Sequence, residues 1–163
     1  MTVVVRRAAR ADAEAIAELA QKLVLQHKSY NARRFAQIAD YEQMVWYYGS
    51  QTESKDSAVL VAEIKNKVVG FAFVQFEAKN YAGLLDSAAW LHDIYVDETA
   101  RGSQAGKNLI NAAIEAAKEL GANKLMLSAA AQNVNAKKFF EHQGFTTTMV
   151  EMMLDLTKKE GND

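Results

Sequence analysis

One stretch in the second half of the chain restricts the fold more than any other. A short apolar strand, Ala89–Val96, leads through a loop of small residues into an amphipathic helix, and a second apolar strand follows at Asn123–Ala129. Apolar residues of the helix recur every three or four positions until Gly121, its predicted end. Two strands joined through a helix lie parallel, with a right-handed crossover. The sequence therefore predicts a β-α-β unit here.

Further strands and helices are predicted on both sides of this unit. They are a strand at Thr2–Arg7, a helix at Ala13–Lys28, a second helix at roughly Arg33–Tyr48, a hairpin of Ala58–Ile64 and Lys67–Glu77, a short helix at Asn135–Gln143 and a long last strand at Phe145–Leu156. Gly49 and Gly144 are expected to end the second and the short helix. We predict one mixed α/β domain over residues 1–157 and a polar tail over 158–163.

Composition excludes several classes of function. The formal net charge is −1, so no excess of positive charge favours nucleic acid. Cysteine is absent, and the three histidines include no pair at helical spacing, so neither a disulfide nor a zinc site is expected. No apolar run approaches the roughly 20 residues of a membrane span, and the first residues do not resemble a signal peptide. We expect no metal, no nucleic-acid partner, no membrane contact and a cytoplasmic location.

The loop before the long helix has the properties of an anion site. A helix N-terminus leaves about four N–H groups unpaired and carries about half a positive charge. Small residues allow those groups to converge on phosphate oxygens, and basic residues add positive charge. The loop supplies both kinds: Arg101, Gly102, Ser103, Ala105, Gly106 and Lys107. The spacing of its glycines matches neither a P-loop nor the glycine motif of dinucleotide-binding folds. From the loop alone, a phosphate site and an ordinary loop therefore remain alternatives.

Two separate motifs resemble those of the GNAT superfamily of acyl-CoA-dependent N-acyltransferases. In the loop, Arg101 and Gly106 match the first and last positions of the family's Q/R-x-x-G-x-G/A motif, while Gln104 replaces the middle glycine. Downstream, the family's N-x-x-A-x-x-F-Y-x-x-x-G-F pattern is matched except that Phe140 replaces tyrosine. The matching residues are Asn133, Ala136, Phe139, Gly144 and Phe145. The resemblance runs from Val3 to about Leu156 and implies a mixed α+β fold. Its central mixed sheet would have six to seven strands, flanked by about four helices, with two splayed parallel strands.

The resemblance also implies acetyl-CoA, or another acyl-CoA, as the cofactor. Pantetheine would lie between Ala89–Val96 and Lys124–Ala129, bonded to the backbone of Ile94, Tyr95 and Val96 as an added strand would be. The pyrophosphate would lie on the amides of Arg101, Gly102, Ser103, Gln104, Ala105, Gly106 and Lys107. Asn133, Ala136, Phe139 and Phe140 would contact the cofactor from the other side. Glycine at this position would allow positive φ and close approach of a phosphate, so glutamine raises a steric difficulty. If Gln104 keeps an ordinary helical or β conformation, its side chain can point to solvent, and we expect retained but weakened binding.

In this family the amine attacks the thioester directly, and an alkylammonium of pKa ~10.4 must first lose a proton. At pH 7 this costs about 4.6 kcal/mol, so a general base is useful. Strand alternation places Trp90, His92 and Ile94 on one face of their strand, and Leu91, Asp93 and Tyr95 on the other. Histidine titrates near neutral pH, so His92 is the first candidate base, with a purely structural histidine as the alternative. Asp93 is a weaker candidate, for which the alternatives are orienting a neighbour, contacting the acceptor and making a structural hydrogen bond.

Phenylalanine at position 140 cannot protonate the leaving thiolate, so either Tyr95 or Tyr81 replaces the usual tyrosine or the thiolate leaves unassisted. The acceptor pocket is expected between the first two helices, the loop at 79–87 and the last strand. Candidate lining residues, for which packing in the core is the alternative, are Tyr30, Tyr47, Tyr81, Trp90 and Glu151.

These features predict an N-acetyltransferase acting on the primary amine of a small molecule such as a polyamine, an aminoglycoside or an amino-acid-like compound. A non-catalytic acyl-CoA-binding regulatory domain is one alternative, favoured by Gln104 and Phe140. A protein or peptide N-acetyltransferase is the other. By family habit, often through the last strands, we expect a homodimer.

Overall fold

A sheet of five strands forms the centre of the computed structural model, which describes residues 2–37 and 40–157. The strands lie side by side in chain order: β1 (Val3–Arg7), β2 (Ser57–Ile64), β3 (Lys67–Glu77), β4 (Ala88–Val96) and β5 (Leu125–Met126). The helices are α1 (Ala13–Tyr30), α2 (Tyr41–Gln51), α3 (Ala105–Glu119) and α4 (Val134–His142). Neighbouring strands are antiparallel except β4 and β5, which are parallel and joined through α3. The mixed α+β fold and the β-α-β unit are therefore confirmed, with five strands instead of six or seven.

The helices cover the two faces of the sheet separately. Leu109 and Ile110 of α3 are fully buried in one apolar cluster, which includes Ala72 and Val74 of β3. On the opposite face, α1 and α2 pack against Phe71 and Phe73 of the same strand. Alternate residues of β3 thus enter two different cores. We call the second face the α1/α2 face, since it carries the candidate site.

The hairpin of β2 and β3 forms as predicted, around a two-residue turn. Lys65 and Asn66 have φ of 50° and 63°. Positive φ at both central residues is typical of the turn that matches the twist of paired strands. The hairpin gives β3 a well-defined register, and β3 in turn supports β4 along most of its length.

The second helix begins later than predicted. Asn31 accepts hydrogen bonds through Oδ1 from the backbone N–H groups of Arg33 (3.1 Å) and Arg34 (3.0 Å). Such a turn competes with a helix for the same backbone groups. The helix starts at Tyr41 instead, where Asp40 accepts from the N–H of Gln43 as N-cap. Residues 38 and 39 of the predicted helix lie outside the described residues.

Gly49 does not end α2, which continues to Gln51. A Cβ at this glycine would lie 3.2 Å from Arg10 Nη1 and 3.6 Å from Ala13 Cβ. The missing side chain therefore allows close packing of α2 against the start of α1. The prediction that Gly49 ends the helix is therefore wrong, because this glycine serves close helix packing instead.

The predicted long last strand is wrong for the described part of the chain. Residues 145–156 pair with no other strand there, and β5 is only two residues long where seven were predicted. A strand needs a neighbour for its backbone groups, and pairing between β4 and β5 ends at Trp90 and Met126. The predicted polar tail at 158–163 lies outside the described residues.

Candidate active site

An irregularity in β4 decides which side chains reach the α1/α2 face. Phe73 pairs with Asp93, whereas the next residue, Val74, pairs with Leu91, so His92 is an extra residue in β4. Such a bulge shifts the alternation of side chains beyond it. Asp93 therefore follows His92 onto the same face.

The predicted alternation is wrong past the bulge. Tyr95 belongs to the apolar cluster of the α1/α2 face, and Ile94 packs against the cluster on the α3 side. Two side chains predicted to be on opposite faces, His92 and Asp93, are thereby brought together.

His92 forms a hydrogen-bonded pair with Glu77. Its Nε2 lies 2.8 Å from Oε1 of Glu77, at the end of the neighbouring strand. An ionised carboxylate only accepts, so Nε2 carries the proton and Nδ1 keeps the lone pair in the neutral ring. Trp90 stacks on the imidazole at a 14° angle with ring centroids 6.2 Å apart, and Phe73 lies 5.8 Å away. The arrangement orients a neutral imidazole that can take up a proton through Nδ1.

The pair lies in a cavity of about 270 Å³. Its lining residues are Glu77, Trp90, Leu91, His92 and Ser128. The side chains of His92 and Glu77 are 36% and 39% exposed, so a molecule in the cavity can reach both. The cavity begins at the end of the β4–β5 ladder. No group of three or more potential metal ligands occurs in the described ranges.

Asp93 is bonded to α2. The hydroxyl of Tyr48 donates to Oδ2 at 2.7 Å, which ties this buried helix residue to the strand beside the bulge. Burial raises the pKa of Asp93, and the hydrogen bond from Tyr48 opposes that rise. Burial, with the neighbouring carboxylate, also raises the pKa of Tyr48 well above its ordinary value. Asp93 therefore holds α2 against the bulge, and burial makes its carboxyl harder to ionise than a carboxyl in water.

The raised pKa of Asp93 predicts a pH dependence of stability. Its contribution is fully present below the unfolded-state pKa of about 3.9 and is lost as pH rises through the higher folded-state pKa. Because asparagine does not titrate, Asp93→Asn should gain in free energy of unfolding relative to wild type as pH rises above 4. Urea titrations from pH 3 to pH 8 measure this difference.

Asp97 provides a control of opposite sign. Lys22 and Thr99 hold the pKa of Asp97 at about 2, so its contribution is present above the unfolded-state pKa and is lost as pH falls through about 2. Asp97→Asn should therefore lose stability relative to wild type as pH rises from 2 to 4. Parallel trends in the two variants would contradict the assignment of Asp93.

Strands β4 and β5 separate beyond two residue pairs. Ala89 pairs with Leu125 and Trp90 with Met126, and the ladder stops there. The β5-facing edge of β4 from Leu91 to Val96 therefore has no strand partner in the described ranges. An extended molecule with amide groups can bond to such an edge as an added strand. The predicted backbone contacts at Ile94, Tyr95 and Val96 lie on this segment.

The loop after β4 ends in two residues with left-handed backbone. Gly102 has φ of 80°, and Gln104, the residue before α3, has φ of 78°. Gln104 therefore does not have the ordinary helical or β conformation under which its side chain was expected to point to solvent; the entry into α3 places it in the left-handed region. The first helical hydrogen bond runs from the N–H of Asn108 to the carbonyl oxygen of Gln104 (3.0 Å). The N–H groups of the first turn stay available to an anion.

The side chains of this loop hold its shape. Ser103 donates through Oγ to the carbonyl oxygen of Ala100, and the guanidinium of Arg101 lies 5.8 Å from the ring centroid of Tyr95. Ala105 is buried, whereas Lys107 is exposed. A Cβ on Gly106 would meet Phe139 at 3.6 Å, an ordinary contact. The loop, α3 and α4 thus meet at the N-terminus of α3.

Replacing Gln104 with glycine should relieve backbone strain. A residue with a Cβ loses roughly 1–2 kcal/mol when its backbone is in the left-handed region. Gln104→Gly should therefore raise the free energy of unfolding by about 1 kcal/mol. Gln104→Ala keeps the Cβ and should show no gain of this kind. Thermal and urea unfolding of both variants measure the effect. Equal gains in the two would assign the strain to the long side chain instead of the backbone.

The second motif forms α4 and its caps. Asn133 accepts through Oδ1 from the N–H of Ala136 at 3.1 Å, so its side chain caps the helix. Phe140 is buried, and its ring packs against Phe139 and Phe145 at centroid distances of 5.5 and 5.9 Å. Phe139 is half-buried beside Gly106. Phe139 thus borders the α3 entrance, while Phe140 lies in the core below it. The proposed cofactor contacts of these four residues stay a prediction.

The candidate acceptor residues are dispersed. Tyr47 contacts Phe73 edge-on at 5.7 Å and, like Trp90, lies on the face that carries His92. Tyr30 lies beside His27 near the end of α1. Tyr81 is 80% exposed on the loop after β3, and Glu151 pairs with Arg34. The structure brings Tyr47 and Trp90 to the His92 region. The acceptor contacts of all five residues stay a prediction.

Two residues of the site were missed in the sequence. Glu77 is the partner of His92, and Tyr48 is the partner of Asp93. Glu77 ends the predicted strand next to β4, so the hairpin pattern offered a signal for it. Tyr48 carried no such signal, because it reaches Asp93 only through the packing of α2 and the bulge.

Comparison with known proteins agrees with this geometry. The model of the acetyltransferase (GNAT) family matches residues 16–145. The chain belongs to this family. GNAT acetyltransferases use acetyl-CoA, and the open β4 edge followed by the free amides of α3 suits the pantetheine and pyrophosphate of that cofactor.

Two relatives share parts of this GNAT chain. It is 31% identical over 102 residues to an uncharacterised N-acetyltransferase of Methanocaldococcus jannaschii, covering 61% of this chain and 44% of the relative. It is 32% identical over 108 residues to a Bacillus subtilis protein provisionally named as a phosphinothricin acetyltransferase, covering 66% of this chain and 63% of that protein. The chain thus spans less than two thirds of the length of either relative.

A solved structure shares the whole fold. An aminoglycoside N-acetyltransferase in complex with CoA superposes with a TM-score of 0.77, covering 96% of both chains at 16% identity. At this identity the likeness concerns the fold. Within residues 2–37 and 40–157, no helix is long and apolar enough to cross a membrane.

Proposed function

We propose that this GNAT chain transfers the acetyl group of acetyl-CoA directly to the primary amine of a small molecule. The His92–Glu77 pair carries the proposal, because it lies in a cavity where β4 and β5 part. Bound acetyl-CoA supplies an activated acetyl thioester. The names of the relatives agree with acetyl transfer, and one of them names an amino-acid-like amine, phosphinothricin.

The chain's own residues provide the proton transfer. The ammonium of the acceptor would bind near the carboxylate of Glu77, which lines the cavity beside His92. His92 would accept the proton through Nδ1, and Glu77 would stabilise the resulting imidazolium through Nε2. Trp90 restricts the imidazole from one side by stacking. The amine so deprotonated would attack as a neutral nucleophile.

The cofactor would be held by backbone groups. The edge of β4 at Ile94, Tyr95 and Val96 offers amides to pantetheine, and the loop from Arg101 to Lys107 offers N–H groups and two cations to the pyrophosphate. Backbone contacts tolerate changes of side chain. Glutamine at position 104 is therefore compatible with binding, since its own backbone already has the conformation that glycine usually provides.

A thiol-release assay tests the proposal. The protein is incubated with acetyl-CoA and a panel of a diamine, a polyamine, an aminoglycoside and phosphinothricin, and free CoA is measured with mass detection of the acetylated amine. We expect release above the hydrolysis background with at least one amine. Binding of acetyl-CoA by titration calorimetry without any acetylated product would instead support an acyl-CoA-binding regulatory domain.

A peptide acceptor is the second candidate function. The exposure of His92 and Glu77 favours it, because an open site admits the amino terminus or a lysine of a longer chain. Peptides with free and blocked amino termini, analysed by mass spectrometry after incubation with acetyl-CoA, separate the two candidates. Acetylated peptide together with unmodified small amines would support the second.

A further inference from the structure

Two consecutive residues of β4, His92 and Asp93, carry polar side chains on the same face of the sheet. In a regular strand, consecutive side chains point to opposite faces, so one of the two would enter the core on the α3 side. That core is apolar, and its members Val74 and Leu109 are fully buried. A polar group without a partner is costly to bury. The bulge therefore lets both polar residues avoid this core.

Each of the two residues is bonded to a different part of the molecule. His92 bonds to Glu77 of β3, in the cavity, whereas Asp93 accepts from the hydroxyl of Tyr48 at 2.7 Å. In the described part of the chain, no other side chain donates a hydrogen bond to Asp93. Tyr48 belongs to α2, so this helix is linked to β4 at the residue next to His92.

The ring of Tyr48 is itself held in place. Tyr48 is 6% exposed, and its ring meets those of Phe71 and Phe73 edge-on at centroid distances of 5.4 and 6.0 Å. Phe73 in turn lies 5.8 Å from the imidazole of His92. Close-packed core side chains stay in one rotamer on average. The hydroxyl is therefore a fixed donor for Asp93.

The extra residue of a bulge lacks the ladder contacts that fix the other residues of its strand. The direction of the His92 side chain therefore depends on the residues beside it. Leu91, on one side, is buried in the core of the α3 side. Asp93, on the other side, is held by Tyr48. Loss of the Tyr48 bond would release one of these two neighbours.

We propose that Tyr48 is a positioning residue of the candidate active site, which fixes the bulge through Asp93 and thereby orients the imidazole of His92. The cavity around His92 is lined by other residues, so Tyr48 acts through Asp93 and not by contact with the acceptor. As a part of acetyl transfer this role rests on the proposed function, whereas the effect on the geometry of His92 does not.

Removal of the hydroxyl alone tests the role in turnover. Tyr48→Phe keeps the ring contacts and removes the bond to Asp93. We expect kcat for the preferred amine to fall by about 10- to 100-fold, the range for a reacting group misplaced by up to about 1 Å. Tyr41→Phe is the matched control in the same helix, because the charged neighbours of that hydroxyl, Glu14 and Glu18, belong to α1. This control should keep the wild-type kcat.

A double-mutant cycle separates positioning from general destabilisation. If Tyr48 acts through the base, Tyr48→Phe in a His92→Ala background should lower kcat no further. The loss in Tyr48→Phe should also shrink as pH rises toward the amine's own pKa of about 10.4, as for the loss of the base itself. Additive losses, or a loss that is constant with pH, would assign Tyr48 a structural role only.

Nitrogen chemical shifts of the histidine rings test the geometry without turnover. The chain has only three histidines, and the signal missing in His92→Ala assigns the ring. In the neutral wild-type ring, the bond to Glu77 predicts that Nε2 carries the proton. Tyr48→Phe should give a mixture of the two tautomers, and the control variant should not. Wild-type His92 signals in Tyr48→Phe would overturn the proposal, whatever its activity.

A second variant keeps the test decisive if Tyr48→Phe does not fold. That substitution leaves the carboxyl of Asp93 without its donor, which costs stability. The double variant Tyr48→Phe, Asp93→Leu replaces both partners with apolar groups of similar shape and should recover much of the loss. It should still show mixed tautomers at His92 and a reduced kcat. Recovery of the wild-type tautomer together with stability would contradict the positioning role.

The outcomes separate this role from the proposed function. If no amine is acetylated but Tyr48→Phe changes the tautomer of His92, the positioning stands and the proposed function fails. If the enzyme is active and Tyr48→Phe changes neither kcat nor the tautomer, the proposed function stands and the positioning fails.

Discussion

Replacing His92 with alanine is expected to lower kcat/KM for the preferred amine by about 100-fold or more, the range typical of a lost general base. The loss should shrink as pH rises toward the amine's own pKa of about 10.4, because the free amine then forms without help. A pH–rate profile of wild type and variant measures both effects. Since His92 is partly exposed, the free energy of unfolding should change by no more than about 0.5 kcal/mol.

His142→Ala is the matched control, an exposed histidine at the end of α4 that should leave the profile unchanged. Glu77→Gln should give a smaller loss than His92→Ala, because the amide still accepts from Nε2 but no longer stabilises the imidazolium. A His92→Ala variant that retains more than a third of wild-type turnover at pH 7 would falsify the role of His92 as the base.

Replacing Gly70 with valine is expected to reduce the free energy of unfolding by about 3 kcal/mol, the upper part of the range for an overpacked core. A Cβ at Gly70 would lie 2.9 Å from the backbone oxygen of Tyr95, 3.2 Å from Leu109 and 3.3 Å from Val96. The first of these atoms is main chain, so β4 itself must move. The displaced segment is the one proposed to bond pantetheine, and acetyl-CoA affinity should fall together with stability.

Gly83→Val is the control for a loop glycine. There the added Cβ would meet only the side chain of Asn80, at 3.6 Å, and stability should change little. Urea unfolding and calorimetric titration with acetyl-CoA measure the two quantities for both variants. A Gly70→Val protein with wild-type stability would show that β4 is more adaptable than its packing suggests.

Periodicity and turn chemistry were enough to predict much of the fold. The β-α-β unit and the hairpin followed from local patterns, since apolar spacing and Lys65–Asn66 lie within single segments. The start of α2 did not, because Asn31 binds the backbone N–H groups two and three residues further along the chain. The last strand was wrong because a strand depends on a neighbour that the sequence of the segment does not specify.

The candidate site was predictable only in its parts. His92, Asp93 and the loop before α3 were identified by residue type and motif, and their contacts with Glu77 and Tyr48 were not. Those contacts depend on the bulge, which nothing in the local pattern of β4 reveals. The backbone conformation of Gln104 was equally hidden from local sequence patterns. The turn into α3 imposes a left-handed backbone that glutamine by itself rarely adopts.

The bulge in β4 also affects how residue roles transfer between members of the family. In a relative whose extra residue lies elsewhere in the strand, the aligned positions between that residue and His92 would face opposite sides of the sheet from their counterparts here. Outside that stretch the faces would agree. A one-residue difference in the place of the bulge thus changes which acids and bases reach the acceptor, without a single substitution.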